Sequence, residues 1–278
     1  MKDIEINQLI YPTTVTDGAG VKIKRSIGLQ PSYYDPFLMF DEFGSENKDD
    51  YIAGFPPHPH RGIETVTYLL EGDFEHQDSL GSVGRMQAGD VQWMKTGSGI
   101  IHSEMPLMKD GKLHGFQLWI NMPAKLKMTA PEYLHIDSDL IGRYSDKEKS
   151  IKVISGQFEM VRGAVKNHNA EPLYLDIFIK EGNYYNFDLC PKHNSFIYLY
   201  DGEVIIGKQK IHIVKDTTLV LLEKGDRLRV ESKTNAKFLL ISAKPINEQI
   251  ARGGPFVMNT KEEIYLAIEE YQNGTFIK

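Results

Sequence analysis

Short runs of β-branched and aromatic residues, separated by Gly, Pro and Asp, recur along most of the 278-residue chain. Runs of this length and composition are typical of strands, and the residues between them are typical of turns. The pattern therefore predicts an all-β protein built from antiparallel sheets. Nine runs are predicted to be strands, at residues 64–70, 91–94, 116–120, 174–179, 184–187, 196–200, 218–222, 227–231 and 238–242.

Helical periodicity occurs in one short segment near the C-terminus. Asn259 and Thr260 can cap a helix there, and Gly274 can end it. The apolar positions that follow the 3.6-residue repeat are Ile264, Ala267, Ile268 and Tyr271.

The two halves of the chain resemble each other. YLLEG at 68–72 is matched by YLYDG 130 positions later, and the run at 116–120 has its counterpart at 238–242. An internal repeat of this size predicts two β-sandwiches or barrels of about 100–130 residues each. We expect domains at 1–136 and 151–278, the second with the C-terminal helix, joined by the charged linker 137–150.

Composition excludes several classes of protein. The net charge is −6 without a basic block, which argues against direct binding to nucleic acid or to anionic membranes. The chain has one cysteine, Cys190, no apolar leader, and no run of about 20 apolar residues. We therefore expect a soluble cytoplasmic protein.

Two segments carry metal-ligand residues at alternate positions, His58 with His60 and His102 with Glu104. Residues i and i+2 of a strand point to the same face, so two neighbouring strands could direct all four side chains to one point. Three imidazoles and a carboxylate suit Fe(II), Mn(II), Ni(II), Cu(II) or Zn(II). Glu64 has the same parity as His58 and His60 and is an alternative carboxylate ligand; otherwise it is expected to pair with Arg61 or another cation.

Four segments resemble the signature sequences of pirins, a family of the cupin superfamily: FPPHPHRGIETVTYLLEG (55–72), GDVQWMKTGSGIIHSEMP (89–106), FQLWINMP (116–123) and GPFVMNTKEEIYLAIEEYQNGTF (254–276). The resemblance implies a bicupin, two tandem cupin β-barrels, with Fe(II) bound by His58, His60, His102 and Glu104 in the first barrel. It also favours Glu104 over Glu64 as the carboxylate ligand.

The second half lacks the corresponding ligands. Asp188, Cys190 and Asn194 stand at the positions of His58, His60 and Glu64, and 227–232 contains no histidine. We expect structural roles for Cys190 and His193. The remaining histidines have no partner at ligand spacing: His76, His114, His135, His168 and His212.

The resemblance to pirins implies a flavonol dioxygenase of the quercetin 2,3-dioxygenase type, which uses O2. Glu104 is the candidate base for the flavonol hydroxyl. The alternative is an iron-dependent, redox-sensing regulator that binds a transcription factor or a metabolic enzyme. The expected pocket residues are Phe55, Glu64, Trp93, Phe116 and Gln117.

Overall fold

The computed structural model describes residues 2–28, 34–108, 110–166, 169–208 and 213–278, so His168 and His212 lie outside the described residues. All nine predicted runs are strands. The strands are β1 Asp3–Ile4, β2 Ile6–Ile10, β3 Thr13–Asp17, β4 Val21–Ile27, β5 Phe37–Ser45, β6 Phe55–His60, β7 Ile63–Glu71, β8 Asp73–Asp78, β9 Val83–Gln87, β10 Val91–Lys95, β11 Ile100–Pro106, β12 Leu113–Asn121, β13 Glu132–Ile136, β14 Gly142–Ser145, β15 Lys149–Ser155, β16 Gln157–Phe158, β17 Val161–Arg162, β18 Leu173–Ile179, β19 Tyr184–Asp188, β20 Asn194–Asp201, β21 Glu203–Ile206, β22 Ile213–Lys215, β23 Thr218–Leu222, β24 Arg227–Ser232, β25 Ala236–Ala243, β26 Ala251–Gly253 and β27 Phe256–Met258. The helix α1 spans Lys261–Gln272, and short 3-10 turns lie at Lys48–Asp50, Ala124–Leu126 and Ser138–Leu140. None of the helices in these described ranges is long and apolar enough to cross a membrane.

The first compact unit, here called the N-terminal barrel, comprises Thr13–Ser138 and Ile246–Lys278. Its described strands form a seven-stranded sheet in the order β13-β10-β7-β12-β5-β4-β3 and a four-stranded sheet in the order β6-β11-β8-β9. Apolar side chains such as Phe43, Phe74 and Met86 are buried together in its core. The smaller sheet carries both predicted ligand pairs, because His58 and His60 lie on β6 while His102 and Glu104 lie on β11.

The second compact unit, the C-terminal barrel, comprises Met1–Pro12 and Asp139–Pro245. Its large sheet has the order β14-β15-β18-β25-β20-β23-β2, and its smaller sheet has the order β1-β24-β21-β22 with β19 also paired to β24. The order β23-β20-β25-β18-β15 repeats the order β10-β7-β12-β5-β4 of the other unit. The predicted internal repeat is therefore confirmed at the level of strand order.

The two compact units differ from the predicted domains 1–136 and 151–278 at the ends of the chain. The first residues belong to the C-terminal barrel, and the last residues belong to the N-terminal barrel. In the N-terminal barrel β13 pairs with the edge of β10, whereas the corresponding edge of β23 is paired by β2 from the start of the chain. The last 33 residues, Ile246–Lys278, belong to the N-terminal barrel. The segment 137–150, which we expected to be a linker, contains β14 and the start of β15.

The predicted helix is confirmed as α1. Thr260 caps it through a capping box with Glu263, and the chain leaves the helix before Gly274, which has a φ of +72°. Ile264 and Ala267 are buried in an apolar cluster of the N-terminal barrel. Tyr271, which the periodicity placed on the apolar face, is 40% exposed.

Candidate metal centre

Three neighbouring strands, β6, β11 and β8, bring the candidate ligands together. In the register of these antiparallel pairs, His102 lies opposite His58 on one side and opposite Asp78 on the other. Glu104 lies opposite His76. The predicted alternation is thus present, and β8 adds a histidine that the sequence analysis left without a partner.

The imidazoles of His58, His60 and His102 converge on one point. Their ring centroids are 4.8 Å apart for His58 and His60, 4.3 Å for His58 and His102, and 5.1 Å for His60 and His102. One nitrogen from each of the three rings lies within 4.8 Å of the other two. This spacing is compatible with three nitrogen ligands around a single ion.

Each of these rings has its Nδ1 atom engaged by a neighbouring group. His58 Nδ1 lies 2.8 Å from the Pro56 carbonyl oxygen, and His60 Nδ1 lies 3.3 Å from the Pro255 carbonyl oxygen. A carbonyl oxygen can only accept a hydrogen bond, so the neutral tautomer that fits these contacts has the proton on Nδ1 and the lone pair on Nε2. These two rings are therefore oriented as metal ligands usually are.

The Nδ1 atom of His102 has a second histidine as its partner. This atom lies 3.4 Å from Nδ1 of His76, whose Nε2 lies 3.1 Å from Asp78 Oδ2. The pattern is satisfied when His76 donates to Asp78 and accepts from His102. His102 Nε2 is then buried with no hydrogen-bond partner among the described residues. An unpaired buried nitrogen at the point of convergence fits a metal ligand.

Burial keeps these imidazoles neutral at neutral pH. Desolvation lowers the pKa of His58, lowers the pKa of His60 to about 3, and lowers the pKa of His102 well below its ordinary value. Neutral imidazole is the form that binds metals. The three imidazoles therefore offer their lone pairs to a divalent transition metal without a competing proton.

Glu104 is buried and forms a polar chain with β7 and β12. Thr67 Oγ1 lies 3.1 Å from Glu104 Oε1 and 2.6 Å from Gln117 Oε1. Burial raises the pKa of Glu104 to about 7, and the hydrogen bond with Thr67 acts in the opposite direction. By distance, Glu104 is grouped with His102 and His76. The four predicted ligands and His76 thus fall into two overlapping trios that share His102.

Glu64 lies apart from these groups. Its Oε2 accepts a hydrogen bond of 2.6 Å from Trp93 Nε1, and both side chains are buried. The parity that related Glu64 to His60 ends at the turn between β6 and β7, where Gly62 has a φ of +77°. Arg61, the expected partner of Glu64, forms an ion pair with Glu270 instead.

A cavity of about 580 Å³ opens at His58, His60 and Glu104. Of the expected pocket residues, Phe55 and Gln117 line it. Phe116 lies on the other face of β12, buried against Phe40 and Tyr68, so the prediction for Phe116, as for Glu64 and Trp93, needs correction. The sequence analysis missed the polar and aromatic wall of the cavity, which includes Arg25, Asp41, Thr67, Trp119 and Arg252.

The C-terminal segment holds the ligand strand β6 in place. Arg61, which is 1% exposed, donates to the Ser98 carbonyl oxygen at 2.6 Å, pairs with Glu270 at 2.6 Å, and lies over the Phe276 ring. Lys127 Nζ donates to the carbonyl oxygens of Gly62 and Val257 and to the side chain of Asn121. Both cations therefore join the end of β6 to residues remote in sequence.

Two further histidines of the N-terminal barrel have carboxylate neighbours. His114 lies 2.8 Å from Glu42, and His135 is grouped with Asp90 and Asp137. In the C-terminal barrel, the described residues contain no comparable group of three metal-binding side chains. Cys190, for which a structural role was expected, is exposed.

Comparisons with known proteins agree with this architecture. A family model described as Pirin matches residues 20–120, and one described as Pirin C-terminal cupin domain matches residues 174–277. A Vibrio cholerae protein whose name provisionally assigns it as a quercetin 2,3-dioxygenase is 40% identical over 280 residues, covering 99% of this chain and 98% of that protein. Pirin from Homo sapiens is 40% identical over 266 residues, covering 93% of this chain and 89% of that protein. The crystal structure of quercetin 2,3-dioxygenase from Acinetobacter baumannii has a TM-score of 0.90 at 28% identity, covering 98% of both chains.

Proposed function

The chain belongs to the pirin family of the cupin superfamily, and from this premise we propose that it is a metal-dependent dioxygenase that cleaves flavonol-type substrates with O2. The solved quercetin 2,3-dioxygenase with the same fold along nearly the whole chain supports this class of reaction. The observation that carries the proposal is the convergence of three neutral imidazoles beside a buried carboxylate at a cavity of about 580 Å³.

In this proposal His58, His60, His102 and Glu104 hold the metal. Fe(II) is the proposed ion, with Mn, Ni, Cu or Zn as alternatives that suit the same nitrogen and oxygen donors. When bound, the ion supplies open coordination positions and redox chemistry toward O2.

The residues of the chain supply binding and proton transfer. Glu104 is the proposed base for the substrate hydroxyl, with Thr67 within hydrogen-bonding distance to fix the orientation of its carboxylate. Phe55, Phe74 and Trp119 give the cavity an apolar wall for a planar aromatic substrate and exclude water from it.

Metal analysis and oxygen uptake test the proposal together. Protein purified without added metal is analysed for bound ions, and O2 consumption with quercetin is followed before and after chelation and after reloading with each candidate ion. We expect close to one equivalent of metal and chelator-sensitive turnover. His58→Ala and Glu104→Ala should each abolish turnover.

His193→Ala is the control, because His193 is a half-buried histidine of the C-terminal barrel, and it should keep wild-type turnover. Turnover that survives in both His58→Ala and Glu104→Ala would contradict the proposed site. Bound metal without turnover on flavonols would contradict the proposed reaction.

A further inference from the structure

The cavity wall contains two arginines, Arg25 and Arg252, which differ in whether they are paired with carboxylates. Arg25 is bound to carboxylates: its Nε and Nη2 atoms donate to both oxygens of Asp41 at 2.9 and 2.7 Å. Its Nη2 also lies 2.8 Å from Asp17 Oδ2. The guanidinium of Arg25 is therefore committed to a structural ion pair.

Arg252, on β26, has no such partner among the described residues. Within them its side chain makes one hydrogen bond, a long one of 3.4 Å from Nη1 to the Leu38 carbonyl oxygen, and its Nε has no acceptor. No carboxylate forms an ion pair with it in the described part of the chain. A guanidinium with most of its donors unused, in the wall of a cavity, is equipped to bind an anion.

The charged side chains of the cavity wall are Asp17, Arg25, Asp41, Glu104 and Arg252. Asp17 and Asp41 are both paired with Arg25, and Glu104 is hydrogen-bonded to Thr67. None of these carboxylates forms an ion pair with Arg252 within the ranges that the structure describes, so its guanidinium is left to bind an anion from outside the chain.

Arg252 and the candidate metal centre flank the same aromatic ring. The Arg252 guanidinium carbon lies 5.1 Å from the Trp119 ring centroid, and the His60 ring centroid lies 5.0 Å from Trp119. A planar ligand in the cavity could therefore direct one polar group to the ligand histidines and another to Arg252.

We propose that Arg252 is an anion-binding subsite, and that the substrate class is planar aromatic compounds carrying a carboxylate in addition to the oxygen that faces the metal centre. This inference rests on the proposed function for the metal end of the cavity and extends its substrate class beyond flavonols, which carry no carboxylate. Carboxylate is the expected anion, because its two oxygens match the paired N–H groups of a guanidinium.

Binding of matched probes tests the subsite without turnover. 2-Naphthoate and its neutral isostere 2-naphthamide are titrated by calorimetry into the full-length protein, as purified and after chelation. We expect 2-naphthoate to bind at least about tenfold more tightly than 2-naphthamide in both preparations. The chelated protein separates Arg252 from the metal as the source of that preference.

Variants assign the preference to Arg252. Arg252→Gln should weaken 2-naphthoate binding about tenfold or more and change 2-naphthamide binding less than about twofold. Arg252→Lys keeps the charge without the paired donors. Its affinity for 2-naphthoate should lie between those of the wild type and of Arg252→Gln. Arg85→Gln, which removes an exposed arginine from β9, is the control and should leave both affinities unchanged.

Three outcomes would overturn the subsite: no preference for 2-naphthoate, a preference that survives Arg252→Gln, or a preference that disappears on chelation. Failure to bind either probe would also overturn it, since folding of each variant is checked by thermal unfolding. None of these outcomes depends on O2 uptake or metal content, so failure of the subsite is distinguishable from failure of the proposed dioxygenase.

Discussion

The three converging imidazoles owe their orientation to acceptors on three different segments: the Pro56 carbonyl, the Pro255 carbonyl and the His76 ring. Only the first of these is close in sequence. His76 and Asp78 form an i, i+2 pair on β8, the same spacing as His58 with His60 and His102 with Glu104. That spacing was the available signal for His76, and the sequence analysis did not use it.

Two groups of three side chains could hold the ion, and they share His102. The metal affinities of one variant from each group distinguish between them. If His58, His60, His102 and Glu104 hold the ion, His58→Ala removes a ligand and should weaken Co(II) binding most. His76→Phe keeps the stacking on Tyr133 but removes the acceptor of His102, so it should cost about 10–100-fold in affinity.

Competition with a chromophoric chelator measures both affinities, and His193→Phe serves as the control. If His76→Phe abolishes binding while His58→Ala preserves it, the ligands are His76, His102 and Glu104 instead.

At the scale of elements, the C-terminal segment β26, β27 and α1 completes the N-terminal barrel. Val257 on β27 donates its N–H to the Arg61 carbonyl oxygen at 3.0 Å, and Glu270 on α1 neutralises the Arg61 side chain. The Pro255 carbonyl that orients His60 is 195 residues away in sequence. Strand β6, which carries two of the candidate ligands, is therefore held by contacts with a helix at the end of the chain.

Glu270→Gln should destabilise the protein by about 2–3 kcal/mol. Removing one partner of a buried ion pair costs about 3–5 kcal/mol, and the cost is smaller here because Arg61 keeps the Ser98 carbonyl and the Phe276 ring. Denaturant unfolding measures the change.

Glu269→Gln is the matched control, because Glu269 is the exposed neighbour on the same helix, and it should change stability by less than about 0.5 kcal/mol. Equal stabilities of the two variants would show that Arg61 does not need Glu270.

At the scale of the whole molecule, the chain forms two compact units of the same strand order, and only the N-terminal barrel carries the converging histidines among the described residues. Both tryptophans of the chain, Trp93 and Trp119, also lie in that unit. Tryptophan emission therefore reports the unfolding of one unit.

Saturating metal should raise the melting temperature detected by tryptophan emission. A ligand at about 100 times its Kd stabilises the folded state by about 2.7 kcal/mol, which corresponds to about 5–10 °C for a unit of this size. The measurement compares chelated and metal-loaded protein.

His102→Ala should remove the shift, because it deletes the residue shared by both trios. A shift that persists in His102→Ala would place the stabilising metal at another site.

The sequence by itself determined nine of the strands, the capped helix, the internal repeat, and the alternation of His58 with His60 and of His102 with Glu104. These features depend on neighbours a few residues apart, where alternation and capping act directly. Tertiary structure decided which glutamate faces the histidines, because the turn at Gly62 breaks the alternation between β6 and Glu64. It also decided that Pro255 and Arg252 line the cavity beside the histidines, that His76 lies against His102, and that each chain end joins the other unit. Those contacts follow from strand register and packing between segments remote in sequence, which no local pattern encodes.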